Sequence, residues 1–224
     1  MEQIEGIILS VSHYKDNDAI LNILTADGMY VVLGRGIFNS KKPLRIFTTP
    51  FIRAYFEIYK GKVGGFKLKD AKVIRFYNED YLNFNMLSSL NFLSELTLKT
   101  IDGIDNFGKL YSLLVNTLDA INKNFSLIYL TDYFLKLLKL LGLKILITDY
   151  NDQFFSPNEG RFIKDENDST IYFNLDEIIY LDDISNDKNI EFTTDEVDFK
   201  KILNTLTIFL ANCTDVQLKS IEIL

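Results

Sequence analysis

An α+β architecture is predicted: a small five-stranded β-barrel followed by a mostly helical body. Three observations carry it. Apolar residues alternate with period two up to Tyr77, and beyond it they recur at the 3.6-residue spacing of helices. Glycine-rich turn signals separate the early segments at short intervals. Charge divides along the same line: residues 1–77 carry 12 Lys and Arg against 7 Asp and Glu, residues 78–147 carry 6 against 7, and residues 148–224 carry 6 against 17. The overall net charge of −7 hides that split. A basic first third on an acidic chain points to a polyanion-binding end joined to a body with other work.

The strands are expected at Ile4–Ser12, Asp18–Thr25, Met29–Arg35, Pro50–Lys60 and Phe66–Tyr77. Asp27-Gly28 is a hairpin signal between the second and third, because glycine tolerates the positive φ of a tight turn. In the fourth, Ile52, Ala54, Phe56 and Ile58 form an aliphatic and aromatic inner face. Phe51, Arg53, Tyr55, Glu57 and Tyr59 alternate with them on the other side. Gly61, Gly64 and Gly65 mark the turn into the fifth strand. Five short strands without an intervening helix suit an OB-fold, with an SH3-like barrel as the alternative.

Four apolar stripes follow. Leu82, Met86, Leu90, Leu93 and Leu96 form the first, and Phe107, Leu110, Tyr111, Leu114, Leu118 and Ile121 the second. Leu127, Leu130, Phe134, Leu137, Leu138 and Leu141 form the third, with Gly142 as its stop. The last is Phe199, Ile202, Leu203, Leu206, Phe209 and Leu210, with Thr193-Thr194-Asp195-Glu196 reading as a capping box before it. The organisation is thus a barrel domain over 1–77 and a helical domain over 78–224. Within the latter, 148–192 is acidic and weakly patterned, with β-like runs at Ile171–Phe173 and Ile178–Leu181.

Composition excludes several classes. The amino terminus has no basic and apolar leader pattern, and the longest greasy stretch, 133–147, is broken by Lys136, Lys139 and Lys144, so a cytoplasmic protein is expected. One cysteine, Cys213, rules out an internal disulfide framework and a cysteine-cluster zinc site. Gly34-Arg35-Gly36 lacks the third glycine of a dinucleotide fingerprint, there is no phosphate loop, and Asp165-Glu166-Asn167-Asp168 lacks the glycine and alternation of a calcium loop. His13 has no nucleophile pattern around it, and no carboxylate pair is recognisable as catalytic. No enzyme and no cofactor are expected.

Chemistry concentrates in the segment from Gly34 to Arg45, which holds Arg35, Lys41, Lys42 and Arg45 and no acidic residue. Lys60, Lys62, Lys67, Lys69 and Arg75 extend the basic surface over the fourth and fifth strands, and Arg53 joins it. Cations gain affinity for nucleic acid by releasing condensed counterions, and aromatic rings gain it by stacking on bases. The face with Phe51, Arg53, Tyr55 and Tyr59 has two readings: base stacking, or docking against helices. Docking is the stronger, because linked domains must share apolar surface.

Taken in order, several segments resemble the bacterial recombination mediator family RecO. They are Ile7-Ile8-Leu9-Ser10, Asp18 through Thr25 with Asp27-Gly28, and Gly34-Arg35-Gly36 through Ser40-Lys41-Lys42. Pro50-Phe51 with the strand to Tyr59, Tyr133-Phe134-Leu135 to Leu141-Gly142, Phe155 through Gly160, and Leu218-Lys219-Ser220 complete the set. The resemblance implies an amino-terminal OB-fold, a helical second domain and a nucleoid-associated role. It also implies binding of single- and double-stranded DNA, strand annealing and help in loading RecA. RecR and the acidic tail of single-strand-binding protein are the implied partners, and Lys136, Lys139 and Lys144 are the clustered cations of the helical body that such a tail would need. Two departures stand out. Where many members hold zinc with four cysteines, the stretch after Gly142 has none, so it must hold its shape by packing. The acidic last third should repel DNA and confines the binding surface to the barrel. The alternatives are an OB-fold protein–protein adaptor or an RNA-binding factor.

Overall fold

The computed structural model describes residues 1–39, 43–61, 64–77, 83–186 and 197–224. Two compact units divide the chain, residues 1–90 with 106–122 and residues 91–105 with 123–224.

The first unit is built on a closed barrel of β1 (Glu2–Tyr14), β2 (Asp18–Leu24), β3 (Met29–Gly34), β4 (Ile52–Lys60) and β5 (Phe66–Phe76), in the order β1-β2-β3-β5-β4. All pairs are antiparallel except the short parallel pairing of β3 with β5. Closure and this order make it an OB-type barrel and remove the exposed edges an open sheet would carry. The β2–β3 hairpin turns at Gly28, φ +153°, where Thr25 Oγ1 accepts from the Asp27 and Gly28 N–H groups. The expected inner face of β4 is fully buried: Ile52, Ala54, Phe56 and Ile58 all have 0% exposure. Phe51 departs from the strand alternation. It sits at φ +61°, is buried, donates its N–H to Ile8 O and accepts from Tyr77 N, so the fold holds a left-handed residue by two strand-like bonds.

The five strands are expected without an intervening helix, but one short helical segment lies between β3 and β4. A 3₁₀ helix, Pro43–Thr48, seats Phe47 in the barrel, its ring 5.8 Å from that of Phe56. Helix α2 (Phe107–Lys123) also belongs to this unit, whereas α1 (Phe84–Thr100) runs from one unit into the other. Leu82, the first residue of the first predicted stripe, lies outside the described residues.

The second unit holds α3 (Leu127–Leu140), a three-stranded sheet of β6 (Phe154–Ser156), β7 (Arg161–Ile163) and β8 (Ile171–Tyr172), then α4 (Leu175–Ser185) and α5 (Phe199–Cys213). Helix α3 ends at Gly142, φ +75°, with Leu143 N donating to Leu138 O and Gly142 N to Lys139 O, the bond pair of a Schellman stop. The cysteine-free stretch is held by aromatic packing: Phe155 contacts Phe162, Phe173 and Phe209 at centroid distances of 5.1–6.2 Å. Rings in such edge-on arrangements bury much apolar area per residue.

One β-like run is corrected. Ile178–Leu181 is helical, because Asn174 and Glu177 form a capping box that starts α4: Glu177 N donates to Asn174 Oδ1, and Asn174 N to Glu177 Oε2. Glu177 is buried and also pairs with Lys201 on α5. The box read at Thr193–Glu196 lies outside the described residues; Asp198 caps α5, accepting from Lys201 N. Further along the same unit, Glu95 on α1 accepts from Lys219 N, Ser220 N and Ser220 Oγ. Burial opposes its ionisation, but these bonds and Lys99 hold its carboxyl down at about 2.

Candidate nucleic-acid interface

The basic connection between β3 and β4 has a fixed inner side and an exposed outer one. Ile37 and Phe47 enter the barrel core, with Phe38 and Leu44 packed against it. The turn is tied to the β1–β2 hairpin: Gly36 N donates to Asp18 Oδ1 (2.6 Å), Phe38 N donates to Asn17 O, and the His13 ring stacks on Phe38 at 4.2 Å. His13 therefore supports the loop. Arg35 and Arg45 lie exposed on the outer side. Lys41 and Lys42, like Lys62, fall outside the described residues.

The outer face of β4 and β5 divides in two. At one end Arg53 Nε donates to Glu5 Oε1 (2.9 Å), and Tyr111 of α2 donates its hydroxyl to the same oxygen (3.0 Å). The Arg53 guanidinium also lies over the Tyr111 ring. Burial works against the Glu5 charge, yet hydrogen bonds from Arg53 and Tyr111 keep its carboxyl below the ordinary value. Burial, and then Glu5, raise the Tyr111 hydroxyl. Alongside, Arg75 pairs with Asp119 (2.7 Å), which also accepts from the buried Tyr77 hydroxyl (2.9 Å). Arg53 and Arg75, both expected to bind DNA, are each bonded within this unit, Arg75 to Asp119 of α2 and Arg53 to Glu5, which Tyr111 of α2 also reaches.

At the other end Tyr55 and Tyr59 are exposed, as are Lys60 and Lys69. Tyr59 pairs in register with Lys67, which neighbours Leu33 of β3 on its other side, and Tyr55 pairs with Lys72. Lys69 is tied to Glu57 (3.0 Å). Lys72 is not among the basic residues singled out by alternation. Register shifts opposite Glu57/Ile58 and Arg53/Ala54 mark two bulges, each of which changes the strand's phase. The first brings Lys72 onto the face with Lys67. Doubly exposed pairs at 69–70 and 74–75 are the trace of these bulges.

The three lysines of the helical body separate. Lys136 pairs with Asp132 one turn earlier (2.8 Å). Lys139 and Lys144 come together at a cavity of about 440 Å³ whose apolar lining includes Leu135, Leu138, Leu143 and Ile145. The Schellman stop at Gly142 shapes it by folding Leu143 back toward Leu138. Among the described residues no three His, Cys, Asp or Glu side chains converge as metal ligands would, and no helix is long and apolar enough to cross a membrane.

Comparison with known proteins agrees with this architecture. Residues 1–77 match the family model described as recombination protein O N terminal, and residues 81–163 match recombination protein O C terminal. Curated proteins named DNA repair protein RecO are similar. One from Listeria monocytogenes serotype 4b is 29% identical over 145 residues, covering 64% of this chain and 56% of the relative. Those of Exiguobacterium sibiricum and Clostridium perfringens are 29% identical over 124 and 119 residues, covering 55% and 52% of this chain and 49% and 48% of the relatives. The chain therefore matches about half the length of these relatives.

Proposed function

The chain belongs to the recombination protein O family, RecO, and we propose from that premise that it is a DNA-repair and recombination mediator without catalytic chemistry. In this reading the barrel binds DNA and the protein anneals complementary single strands. The single observation carrying it is the set of cations on the outside of the barrel unit: Arg35, Arg45, Lys60 and Lys69 are exposed and Lys67 is half-buried, around a core that is closed. Lys41, Lys42 and Lys62 join the proposal on sequence grounds.

Each lysine or arginine that replaces condensed counterions on a phosphate contributes favourable, salt-dependent free energy. Two strands held on one basic surface repel each other less while their bases search for partners. Arg53 and Arg75 stand outside the binding surface in this reading and keep α2 on the barrel. In the second unit the Lys139–Lys144 cavity combines two cations with an apolar floor, which suits the acidic tail of single-strand-binding protein. RecR and assistance to RecA loading complete the proposal.

The test replaces Arg35, Lys41, Lys42 and Arg45 together by Ala. DNA affinity should fall, and the slope of log affinity against log salt on duplex should flatten by about 0.9 for each phosphate no longer neutralised. Unchanged affinity and slope would move the site off this loop. A protein that fails to anneal complementary strands without nucleotide or metal would count against the mediator reading itself.

A further inference from the structure

We propose that Tyr55 and Tyr59 form a stacking platform specific for single-stranded DNA on the outer face of β4 and β5, with Lys67 and Lys72 holding its backbone. This rests on the DNA-binding reading above and narrows it to one strand state. Both rings are 39–42% exposed on a barrel whose inward residues on the same strand are fully buried. They lie four residues apart on one strand, so their positions are separated by about 13 Å. At roughly 3.4 Å per nucleotide that interval holds three to four stacked nucleotides, and fewer in a stretched strand. Each tyrosine is the register partner of a lysine, Tyr59 of Lys67 and Tyr55 of Lys72. Among the described residues neither lysine has an ion-pair partner; Lys72 is exposed and Lys67 half-buried.

Two of the three carboxylates nearby are paired with cations. Glu57 pairs with Lys69, Asp70 accepts the Ala71 N–H, and Glu5 is held by Arg53. The Glu57–Lys69 pair stands between the rings, so the face is not a continuous apolar patch of the kind a protein partner buries. Duplex DNA keeps its base faces stacked inside and offers nothing to the rings, whereas single strands do.

The experiment compares fluorescence anisotropy of a single-stranded DNA oligomer of about 12 nucleotides, within OB-fold site sizes, with its duplex and with RNA of the same sequence. The variant Tyr55→Ala/Tyr59→Ala, checked by circular dichroism, should lose about fivefold or more in single-strand affinity per ring. Its duplex affinity and salt slope should stay unchanged. Tyr55→Phe/Tyr59→Phe should restore single-strand binding, since a ring face is what stacks. Unchanged single-strand affinity in the Ala variant, or equal loss on duplex, overturns the platform. RNA bound in preference overturns DNA as its occupant. Wild-type protein that binds no DNA at all overturns the DNA-binding reading first, whereas loss with the loop variant alone leaves that reading standing and removes only this one.

Discussion

Strand β4 behaves differently on either side of Tyr55. Toward Phe51 its outward positions are spent on structure: Arg53 joins Glu5 and Tyr111, and neighbouring Arg75 joins Asp119, so a helix is clamped across the barrel. Toward Lys60 the same alternation leaves Tyr55 and Tyr59 uncovered beside lysines. One strand thus carries both of the fates its outer face allows. What separates them is whether a carboxylate from elsewhere in the fold reaches the cation. At the first end the cations join the α2 clamp, and at the second Lys67 and Lys72 stand beside the two rings.

Four measurements break or sharpen that contrast. The largest effect is expected at the inner side of the basic loop. Phe47→Ala should cost about 3–5 kcal/mol in urea unfolding, as for other buried aromatic truncations. If stability held, the loop would be a loose arm and not part of the barrel. Next, Arg53→Ala should lower stability by about 1.5–3 kcal/mol, the range for charged hydrogen bonds, while sparing DNA affinity of the folded protein. The reverse pattern, weakened binding at full stability, would return Arg53 to the interface. Third, Lys67→Ala with Lys72→Ala should change stability by no more than about 0.5 kcal/mol. It should also flatten the salt slope on single strands by about 0.7 per phosphate.

The smallest effect concerns acid. Glu5 has a lowered folded value against an ordinary 4.5, so its pairing contributes fully above that ordinary value. The contribution fades as pH falls through the lowered value. Glu5→Gln should therefore be less stable at neutral pH and lose less stability on acidification. Parallel acid transitions for the two proteins would show that the clamp does not depend on this carboxylate.

Much of the architecture was legible because its signals are local. The change of period after Tyr77, the Asp27-Gly28 turn, the inward face of β4 and the Gly142 stop all depend on residues within a few positions of one another. The start of α4 was equally local, since Asn174 and Glu177 stand three apart, but the acidic composition of the stretch masks it. Among the candidate site residues, Arg35, Arg45, Lys60, Lys67 and Lys69 lie on the outside of the barrel as alternation and loop position imply. Lys72 was hidden because a bulge is invisible to a strict two-residue period.

By itself, the sequence determined that a basic five-stranded barrel precedes a helical, acidic remainder, since periodicity, turn chemistry and charge distribution need only neighbours along the chain. Tertiary structure alone decided which cations stay available. Glu5 meets Arg53 across 48 residues and Tyr111 across 106, and Asp119 reaches Arg75 from another element. Phe47 seats in the core beside Phe56, and the β5 bulges turn Lys72 outward. Pairing over such separations follows from how the elements pack, and no local pattern encodes it.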